Sequence, residues 1–334
     1  MSSESKKQGL RLGTTLYSLT TEIHSRQYGF EQLIRRIAEQ NLGPGLEVVG
    51  FQSIKGFPVI TDSFAADFAS LIDETGLELS CLGINADAGI NRHCPMTVDE
   101  QVSYHARQIE AAAKLGFPVV RYQYGAGPEV IERLVPLAEK VEVKLGLEIH
   151  APNHLEHPDI VQYRELYEKV GSPMLGFIPD FGTSAHAVPP SFVDYARSIG
   201  APEDLVQLAL ADWGKEGDGM ERIQEFYDRG LAEGYDERFL VELYPMFGLF
   251  GKMPPEDWAE IMPQVVHIHG KFFDFDESGD EVSIDHARTL KVFVEGGYNG
   301  FMSSEYEGHH WTDSDGFEKL RLHHALVRKL LAEM

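Results

Sequence analysis

The chain has 334 residues, a formal net charge of −24 at pH 7 and two cysteines, Cys81 and Cys94. The length suffices for one large domain or two average ones. The negative charge repels polyanions, so we expect no nucleic-acid partner, and two cysteines without CxxC spacing exclude a disulfide framework. The first ten residues contain no apolar segment, and no apolar run is long enough to span a bilayer. We therefore expect a cytoplasmic protein without membrane contact.

Short apolar runs alternate with amphipathic segments along the chain, which predicts alternating strands and helices. Thr97 and Glu100 have the spacing of a capping box in front of a helix over 98–115. The predicted strands are 10–16, 46–49, 77–84, 119–124, 145–149, 174–179, 265–268 and 301–304. The predicted helices include 30–40, 98–115, 129–144, 159–170, 284–296 and 316–333.

Eight predicted strands that alternate with helices describe a parallel sheet covered by helices. The count favours a (β/α)8 barrel over an open, doubly wound sheet, and no GxGxxG motif follows the first strand to indicate dinucleotide binding. We predict an α/β protein with a single TIM-barrel domain over residues 1–334. A mostly helical stretch, 189–263, separates strands six and seven, and we expect it as an insertion over the carboxyl-terminal face of the barrel, as a substrate lid or a subunit contact.

Each of the last four predicted strands ends near a residue of a type that binds metal ions. The segments LGLEIH, MLGFIPD, VVHIHGK and FMSSEYE supply Glu148, Asp180, His269 and Glu305. Because the carboxyl ends of barrel strands meet at one face, these side chains are expected to lie close together. Three carboxylates and one imidazole suit a divalent cation with coordination positions left for a substrate.

Each of these candidates has an alternative role. Glu148 and Glu305 lie inside apolar runs and could form buried salt bridges, and Asp180 could instead shape a turn. His267 and His269 share one face of a strand, because side chains alternate along it. We favour His269 as the ligand since it is nearer the carboxyl end, which leaves His267 as a core histidine or a substrate-binding residue.

His150 is the candidate catalytic base. It follows Glu148 by two positions, so its side chain is expected on the same side of the strand and close to the metal. An imidazole that titrates near neutrality can take a proton from a carbon beside a carbonyl, although His150 could instead only hydrogen-bond a ligand carboxylate. Lys271, Arg121 and His154 are predicted to bind substrate. The alternatives are a solvated lysine, an arginine in an ion pair and a loop histidine near the pocket mouth.

The motifs EIHAP, PDFG, HIHGKF and SSEYEGH resemble those of the xylose-isomerase-like TIM barrels. Within that superfamily they are most similar to the larger subunit of bacterial C-glycoside deglycosidases, and the resemblance covers nearly the whole chain. It implies that Glu148, Asp180, His269 and Glu305 hold one divalent metal ion, with Mn²⁺ expected first and Mg²⁺, Co²⁺ or Zn²⁺ as other choices. It also implies a smaller beta subunit in a hetero-oligomer.

The activity implied by this resemblance is cleavage of the C–C bond in 3-keto C-glycosides, by removal of the C2 proton and β-elimination. A ketose 3-epimerase or sugar isomerase, an inosose-dehydratase-like enzyme and a non-catalytic sugar-binding barrel stay open as alternatives. The endonuclease IV-like members of the superfamily hold three zinc ions and need further histidines. This chain has Thr183 where a DxxH motif would place one of them, so its ligands are expected to hold a single metal.

Overall fold

The computed structural model describes residues 9–85, 94–215 and 217–334. Within these ranges the parallel strands are β1 (Arg11–Thr15), β2 (Gly45–Val49), β3 (Glu78–Gly83), β4 (Val119–Tyr122), β5 (Lys144–Ile149), β6 (Leu175–Pro179), β7 (Ile268–Phe272) and β8 (Phe301–Tyr306). They form one sheet in the order β6-β5-β4-β3-β2-β1-β8-β7. Isolated bridges from Phe177 to Val265 and from Asp180 to His269 join its two outer strands. The predicted (β/α)8 barrel is therefore confirmed.

Helices follow the strands and cover the outside of the barrel. They are α1 (Thr20–His24), α2 (Phe30–Glu39), α3 (Gly50–Ser53), α4 (Asp62–Thr75), α5 (Val98–Leu115), α6 (Pro128–Val141), α7 (Pro158–Val170), α8 (Pro190–Ser198), α9 (Glu203–Trp213), α10 (Gly219–Glu233), α11 (Glu237–Leu243), α12 (Pro245–Leu249), α13 (His286–Glu295) and α14 (Gly316–Glu333). Helical segments of the 3-10 type are Leu16–Leu19, Tyr124–Ala126, Phe181–Thr183, Pro255–Gln264 and Gly308–His310. Among the helices of the described ranges, none has both the length and the apolar character that crossing a bilayer requires.

The boundary of strand seven differs most from its prediction. The apolar pattern predicts a strand over 265–268, whereas β7 begins at Ile268. Val265 and Val266 belong to the amino-terminal end of the barrel, where Val265 is bridged to Phe177, and continuous pairing with β8 starts only at Ile268 opposite Met302. Apolar residues mark where the chain is buried, but the neighbouring strand decides where the ladder begins.

The register of the sheet places the candidate ligands on the inner face of the barrel. Glu148 is paired with Ile178, Asp180 is bridged to His269, and Lys271 is paired with Glu305. Residues that are paired across a parallel ladder point to the same side of the sheet. These polar side chains therefore share the barrel interior, near the carboxyl ends of β5 to β8.

The amino-terminal end of the interior is apolar. Cys81, Val119 and Ile178 form a buried cluster, and Val266 packs against it. Glycine is required beside this cluster, because a Cβ at Gly176 would lie 2.3 Å from a methyl group of Val266. We call these four packed side chains the apolar floor of the barrel. They leave the carboxyl end as the side of the interior that holds the polar residues.

The chain between β6 and β7 holds helices α8 to α12, and we call this part of the chain the insertion. Its contacts include the loops that follow β5 and β8. Trp311 donates an Nε1–H hydrogen bond of 2.8 Å to Ser191 Oγ, and Phe192 packs edge-on against the Trp311 ring. On the other side, Gly219 lies so close to Pro152 that a Cβ there would be 2.4 Å from the proline ring. A role for the insertion as a lid or subunit contact stays a prediction.

Candidate metal centre and active-site cavity

The four predicted metal ligands come together in the structure. Glu148, Asp180, His269 and Glu305 each offer one ligand atom, and these atoms all lie within 4.8 Å of one another. All four side chains are buried. Nδ1 of His269 lies 2.7 Å from Glu148 Oε1 and 3.2 Å from Glu305 Oε2.

The donor set fits a divalent cation. Oε2 of Glu305 is buried and accepts no hydrogen bond from any residue that the structure describes. This oxygen is therefore an unused acceptor in the centre of the cluster. Burial raises the pKa of Asp180 to about 6, with the Lys271 ammonium acting in the opposite direction and the charges of Glu305 and Glu148 adding to the rise. A bound cation would relieve this crowding of carboxylates. Three oxygen donors and one imidazole are typical ligands of Mn²⁺, Mg²⁺, Co²⁺ or Zn²⁺.

His150 lies directly after β5 with one ring nitrogen in the cavity. Its Nδ1 is 2.5 Å from the carbonyl oxygen of Ala151, and because a carbonyl only accepts, Nδ1 carries the proton. Nε2 therefore has the lone pair, and it lies 2.7 Å from the Lys271 ammonium and 4.0 Å from Asp180 Oδ2. The His150 side chain is 22% exposed, while the ligand side chains beside it are almost fully buried. It can reach a molecule in the cavity.

Lys271 is a buried cation and not a solvated loop residue, so that alternative is wrong. Its side chain is 1% exposed, and Nζ lies 2.8 Å from Asp180 Oδ2 and 2.7 Å from Glu307 Oε2. Burial lowers the pKa of Lys271, but the charges of Asp180 and Glu307 outweigh burial and raise it well above its ordinary value. Lys271 therefore stays charged and offsets part of the negative charge of the cluster.

The other three predicted substrate residues have different positions. Arg121 contributes to the cavity wall and also donates a 2.9 Å hydrogen bond to Glu148 Oε2, so both of its expected roles are compatible with the geometry. His267 is 1% exposed and lies deeper in the barrel. His154 sits on the loop after β5, where its ring is edge-on to His157. Among the described residues that line the cavity, neither His267 nor His154 occurs.

The cavity has a volume of about 340 Å³ and two chemically different walls. One wall is charged and consists of Arg121, Glu148, His150, Lys271, Glu305 and Glu307. The other is apolar and consists of Val49, Phe51 and Ile84. Tyr17, Gln52, Asn85 and Gln123 complete the lining. Phe51 is 51% exposed, so its ring lies at the mouth of the cavity.

Two carboxylates of this region were not identified from the sequence. Glu47 in β2 is fully buried and contacts both His267 and His269. Glu307 accepts a 3.2 Å hydrogen bond from the Tyr17 hydroxyl in addition to its pairing with Lys271. The signals were present: Glu47 is a lone carboxylate in the apolar run 45–49, and Glu307 follows Glu305 by two positions on the same strand face.

The fold and the site together define a class of protein: a (β/α)8 barrel with a buried cluster of three carboxylates and one histidine at the carboxyl ends of β5 to β8. The chain belongs to the xylose isomerase-like TIM barrel family, whose sequence pattern matches residues 45–326.

Some relatives share much more of their sequence with this chain than a common fold requires. The chain is 44% identical to the 3'-dehydrocarminate deglycosidase alpha subunit of a Microbacterium species, over 97% of this chain and 96% of the relative. It is 42% identical to a C-glycoside deglycosidase alpha subunit of Microbacterium trichothecenolyticum, over 90% of this chain and 84% of the relative. A solved structure of D-psicose 3-epimerase in the presence of D-fructose superposes with a TM-score of 0.56 at 13% identity, covering 96% of this chain and 99% of that one. That likeness concerns the fold only.

Proposed function

We propose that this chain is the larger, alpha subunit of a metal-dependent C-glycoside deglycosidase, a lyase that cleaves a carbon–carbon bond in 3-keto C-glycosides. Two relatives that are more than 40% identical over 90% or more of the chain carry deglycosidase names. The structural observation that carries the proposal is one cavity whose lining includes His150 and two of the candidate metal ligands, Glu148 and Glu305, with Nε2 of His150 4.0 Å from Oδ2 of a third ligand, Asp180.

Glu148, Asp180, His269 and Glu305 would hold one divalent cation, Mn²⁺ in the first place, and the bound ion would supply a Lewis acid for the carbonyl and an adjacent hydroxyl of the substrate. The remaining charged residues keep this set in place. Arg121 fixes Glu148 through a 2.9 Å hydrogen bond, and the Lys271 ammonium holds Asp180 at 2.8 Å. Both contacts restrict the carboxylates to one arrangement before a ligand enters.

His150 would take the proton from C2 of a sugar that already carries a ketone at C3. The electron pair of the C2–H bond passes through the enolate of that ketone and forms the C1=C2 double bond. The C1–aryl bond breaks with its electron pair on the aryl carbon, which takes up one proton. One proton is removed and one is added, so no oxidant or reductant is required. The products are a 1,2-unsaturated 3-keto sugar and the free aglycone.

An ordinary glycosidase mechanism does not fit such a substrate. Glycosidases protonate the oxygen of the leaving group, and a C-glycoside has none at this position. The base required instead is one whose lone pair faces the cavity. The hydrogen bond from Nδ1 of His150 to Ala151 leaves the lone pair on Nε2, which lies 2.7 Å from the Lys271 ammonium and would act as the base once the substrate displaces that contact.

The apolar wall of the cavity favours an aromatic aglycone over a free ketose. A free ketose carries an oxygen on every carbon of its chain, whereas Phe51, Val49 and Ile84 offer an apolar surface for an aromatic ring in the same cavity. A ketose 3-epimerase is the second candidate, because it would use the same proton abstraction and a related fold. Inosose dehydration would share that first step as well.

The two candidates are separated by a paired substrate assay. The purified protein, together with any subunit that copurifies with it, is given a 3-keto C-aryl glucoside and a set of free ketoses in parallel, with Mn²⁺ present. We expect release of the aglycone from the first substrate and no interconversion of the ketoses. Ketose epimerisation without any aglycone release would replace the proposal by the second candidate.

The role of His150 has a matched control on the same loop. We expect His150→Ala to lower kcat for aglycone release by about 100-fold to 10,000-fold, the usual contribution of a general base. His154→Ala removes a histidine that does not line the cavity and is expected to keep wild-type kcat. Full turnover of the His150→Ala protein would remove His150 as the base.

A smaller beta subunit is part of the proposal, since the relatives are named alpha subunits. The insertion is the surface we propose for it, because its helices α10 and α11 expose Met220, Leu231 and Val241. The variant Leu231→Glu/Val241→Glu should lose the copurifying subunit while keeping its thermal stability. Val59→Glu, at an exposed apolar residue outside the insertion, is the control and should retain the subunit.

A further inference from the structure

We propose that Glu47 is a positioning residue of the metal centre, which holds the ring of His269 so that Nδ1 faces the other three ligands. The inference rests on the metal centre of the proposed function, but it does not depend on which sugar reaction takes place there. Glu47 lies on β2, across the barrel from β7, and would act only through the histidine that it contacts.

The contacts of Glu47 are confined to the barrel interior. Its Oε1 and Oε2 lie 3.0 and 3.2 Å from Nε2 of His269, and Oε2 is also 3.0 Å from Nε2 of His267. The Glu47 side chain is 0% exposed. On its other side, Nδ1 of His269 is 2.7 Å from Glu148 Oε1. The imidazole of His269 therefore bridges Glu47 and the ligand cluster.

This bridge selects one form of the ring. A neutral imidazole has one N–H and one lone pair, and an ionised carboxylate can only accept a hydrogen bond. With Glu47 as the acceptor, His269 keeps its Nε2 proton when a cation takes the place of the Nδ1 proton that Glu148 accepts, and the lone pair of Nδ1 would then face that cation. A carboxylate behind a ligating histidine fixes the tautomer and the ring orientation in this way and strengthens the metal–nitrogen bond.

His267 receives a different role from the same carboxylate. Its Nε2 lies 3.0 Å from both Glu47 Oε2 and Ser303 Oγ, and its side chain is 1% exposed. The His267 ring therefore holds the Glu47 carboxylate in place. Arg121 adds a positive charge, with Nε 4.0 Å from Glu47 Oε1. Besides its contact with His269, Glu47 is thus held by His267, which directly precedes β7, and by Arg121 of β4.

A second cation between Glu47, Cys81 and His267 is the competing interpretation. Ligand atoms of these three buried side chains lie within 4.8 Å of one another. However, both oxygens of Glu47 already lie at hydrogen-bond distance from imidazole nitrogens, and a second ion would have to displace those contacts. We therefore expect one metal ion per chain, with Cys81 as part of the apolar floor.

The test is the affinity of the metal-free protein for Mn²⁺, measured by calorimetric titration. Glu47→Gln keeps the volume of the side chain but replaces an obligate acceptor by an amide, and we expect the affinity to fall about 10-fold to 100-fold. Cys81→Ala is the matched control in the same part of the interior and should keep the wild-type affinity with one ion per chain. Unchanged affinity in Glu47→Gln would overturn the inference. So would two bound ions per wild-type chain with one lost in Cys81→Ala.

A second measurement covers the case in which Glu47→Gln does not fold. The wild-type chain is labelled with ¹⁵N-histidine and loaded with ¹¹³Cd²⁺, and the metal–nitrogen coupling of His269 is observed. Coupling at Nδ1 is the expected result, whereas coupling at Nε2 contradicts the role of Glu47. A protein that binds Mn²⁺ in a Glu47-dependent manner but releases no aglycone would refute the deglycosidase and leave the positioning role intact.

Discussion

Strand β8 lies between His269 of the metal centre and a group of buried histidines whose pKa values shift in the opposite direction. Its inner face carries Glu305 of the metal centre, and its outer face carries Ser304. On that outer side, Nδ1 of His323 lies 2.8 Å from the hydroxyl oxygen of Ser304, and Nε2 of His323 lies 2.9 Å from Nε2 of His286. Next to them, His324 donates to the hydroxyl of Thr14 at 3.2 Å. We call His286, His323 and His324 the outer histidine cluster. It fills the space between the sheet and helices α13 and α14.

The charges around the two groups differ. Burial lowers the pKa of His269 in the metal centre, but the charges of Glu305, Glu47 and Glu148 outweigh burial and raise it well above its ordinary value. In the outer histidine cluster burial dominates and lowers the pKa of His286 and of His324 to about 4.

Burial alone therefore does not indicate a functional histidine. A buried imidazole among carboxylates is stabilised as a cation and can exchange one of its protons for a metal ion, while one among hydroxyl groups and rings stays neutral and contributes only packing. The stacking of His323 on Phe272, with ring centroids 4.1 Å apart, belongs to the second kind. The comparison makes distinct predictions for substitutions in each group.

The largest effect is expected in the metal centre. Asp180→Asn removes one of the four ligand charges, so we expect the chain to lose its bound metal during dialysis and kcat to fall at least about 100-fold. The free energy of unfolding of the metal-free protein should not fall, because burial already raises the pKa of Asp180 and so opposes its ionised form, and the asparagine oxygen can still accept a hydrogen bond from Lys271. Metal analysis and urea unfolding of the same sample check both statements. Retention of stoichiometric metal would show that Asp180 is not a ligand.

The outer histidine cluster should respond in the reverse manner. His323→Ala leaves a cavity and unpaired polar groups, which should lower the free energy of unfolding by about 2–4 kcal/mol in urea. The affinity for Mn²⁺ should stay at the wild-type value. His24→Ala, at an exposed histidine, is the control and should change neither quantity. Loss of metal affinity in His323→Ala would erase the distinction between the two groups.

The pH dependence of stability follows from the same cluster. The folded pKa of His286 is about 4, below the roughly 6.5 of an unfolded histidine, so the unfolded chain binds the proton first as the pH falls. The contribution to stability is complete above pH 6.5 and is lost as the pH falls toward 4. Between pH 7.5 and 5 the metal-free protein should lose about 2 kcal/mol more than a His286→Gln variant, in which this group no longer titrates. An equal loss of unfolding free energy in both proteins would contradict a low pKa of His286 in the folded state.

The smallest effect is expected at the mouth of the cavity, which leaves both histidine groups untouched. Phe51→Ala removes the exposed ring of the apolar wall, and we expect KM for a 3-keto C-aryl glucoside to rise about 5-fold to 10-fold with kcat and metal content preserved. Val59→Ala, at another exposed apolar residue, should have wild-type kinetics. An unchanged KM in Phe51→Ala would exclude this ring from the aglycone site.

The elements with strong local signals could be predicted from the sequence. The capping box of Thr97 and Glu100 is present, and α5 has the predicted bounds. Strand β7 could not be located in the same way, because pairing with β8 and not the apolar run sets its start. The rule that ligands lie at strand ends brought out Glu148 and Asp180, but it passed over Glu47, which lies within its strand.

Contacts between distant segments account for the rest. His323 and His324 are adjacent in the sequence, and nothing in that pattern reveals that one meets Ser304 while the other meets Thr14. The burial of Lys271 depends likewise on Asp180 and Glu307, which come from two other strands. Such partners are defined by the closed barrel, and a single sequence does not contain that information locally.

The apolar floor bears on the order in which products depart under the proposed reaction. The four side chains of the apolar floor fill the amino-terminal end of the barrel, so substrate and products would enter and leave through the carboxyl-terminal mouth. A sugar beside the metal ligands lies deeper than an aglycone beside Phe51, and the aglycone must leave first. Steady-state kinetics should then be ordered, with the sugar product as a competitive inhibitor and the aglycone as a noncompetitive one.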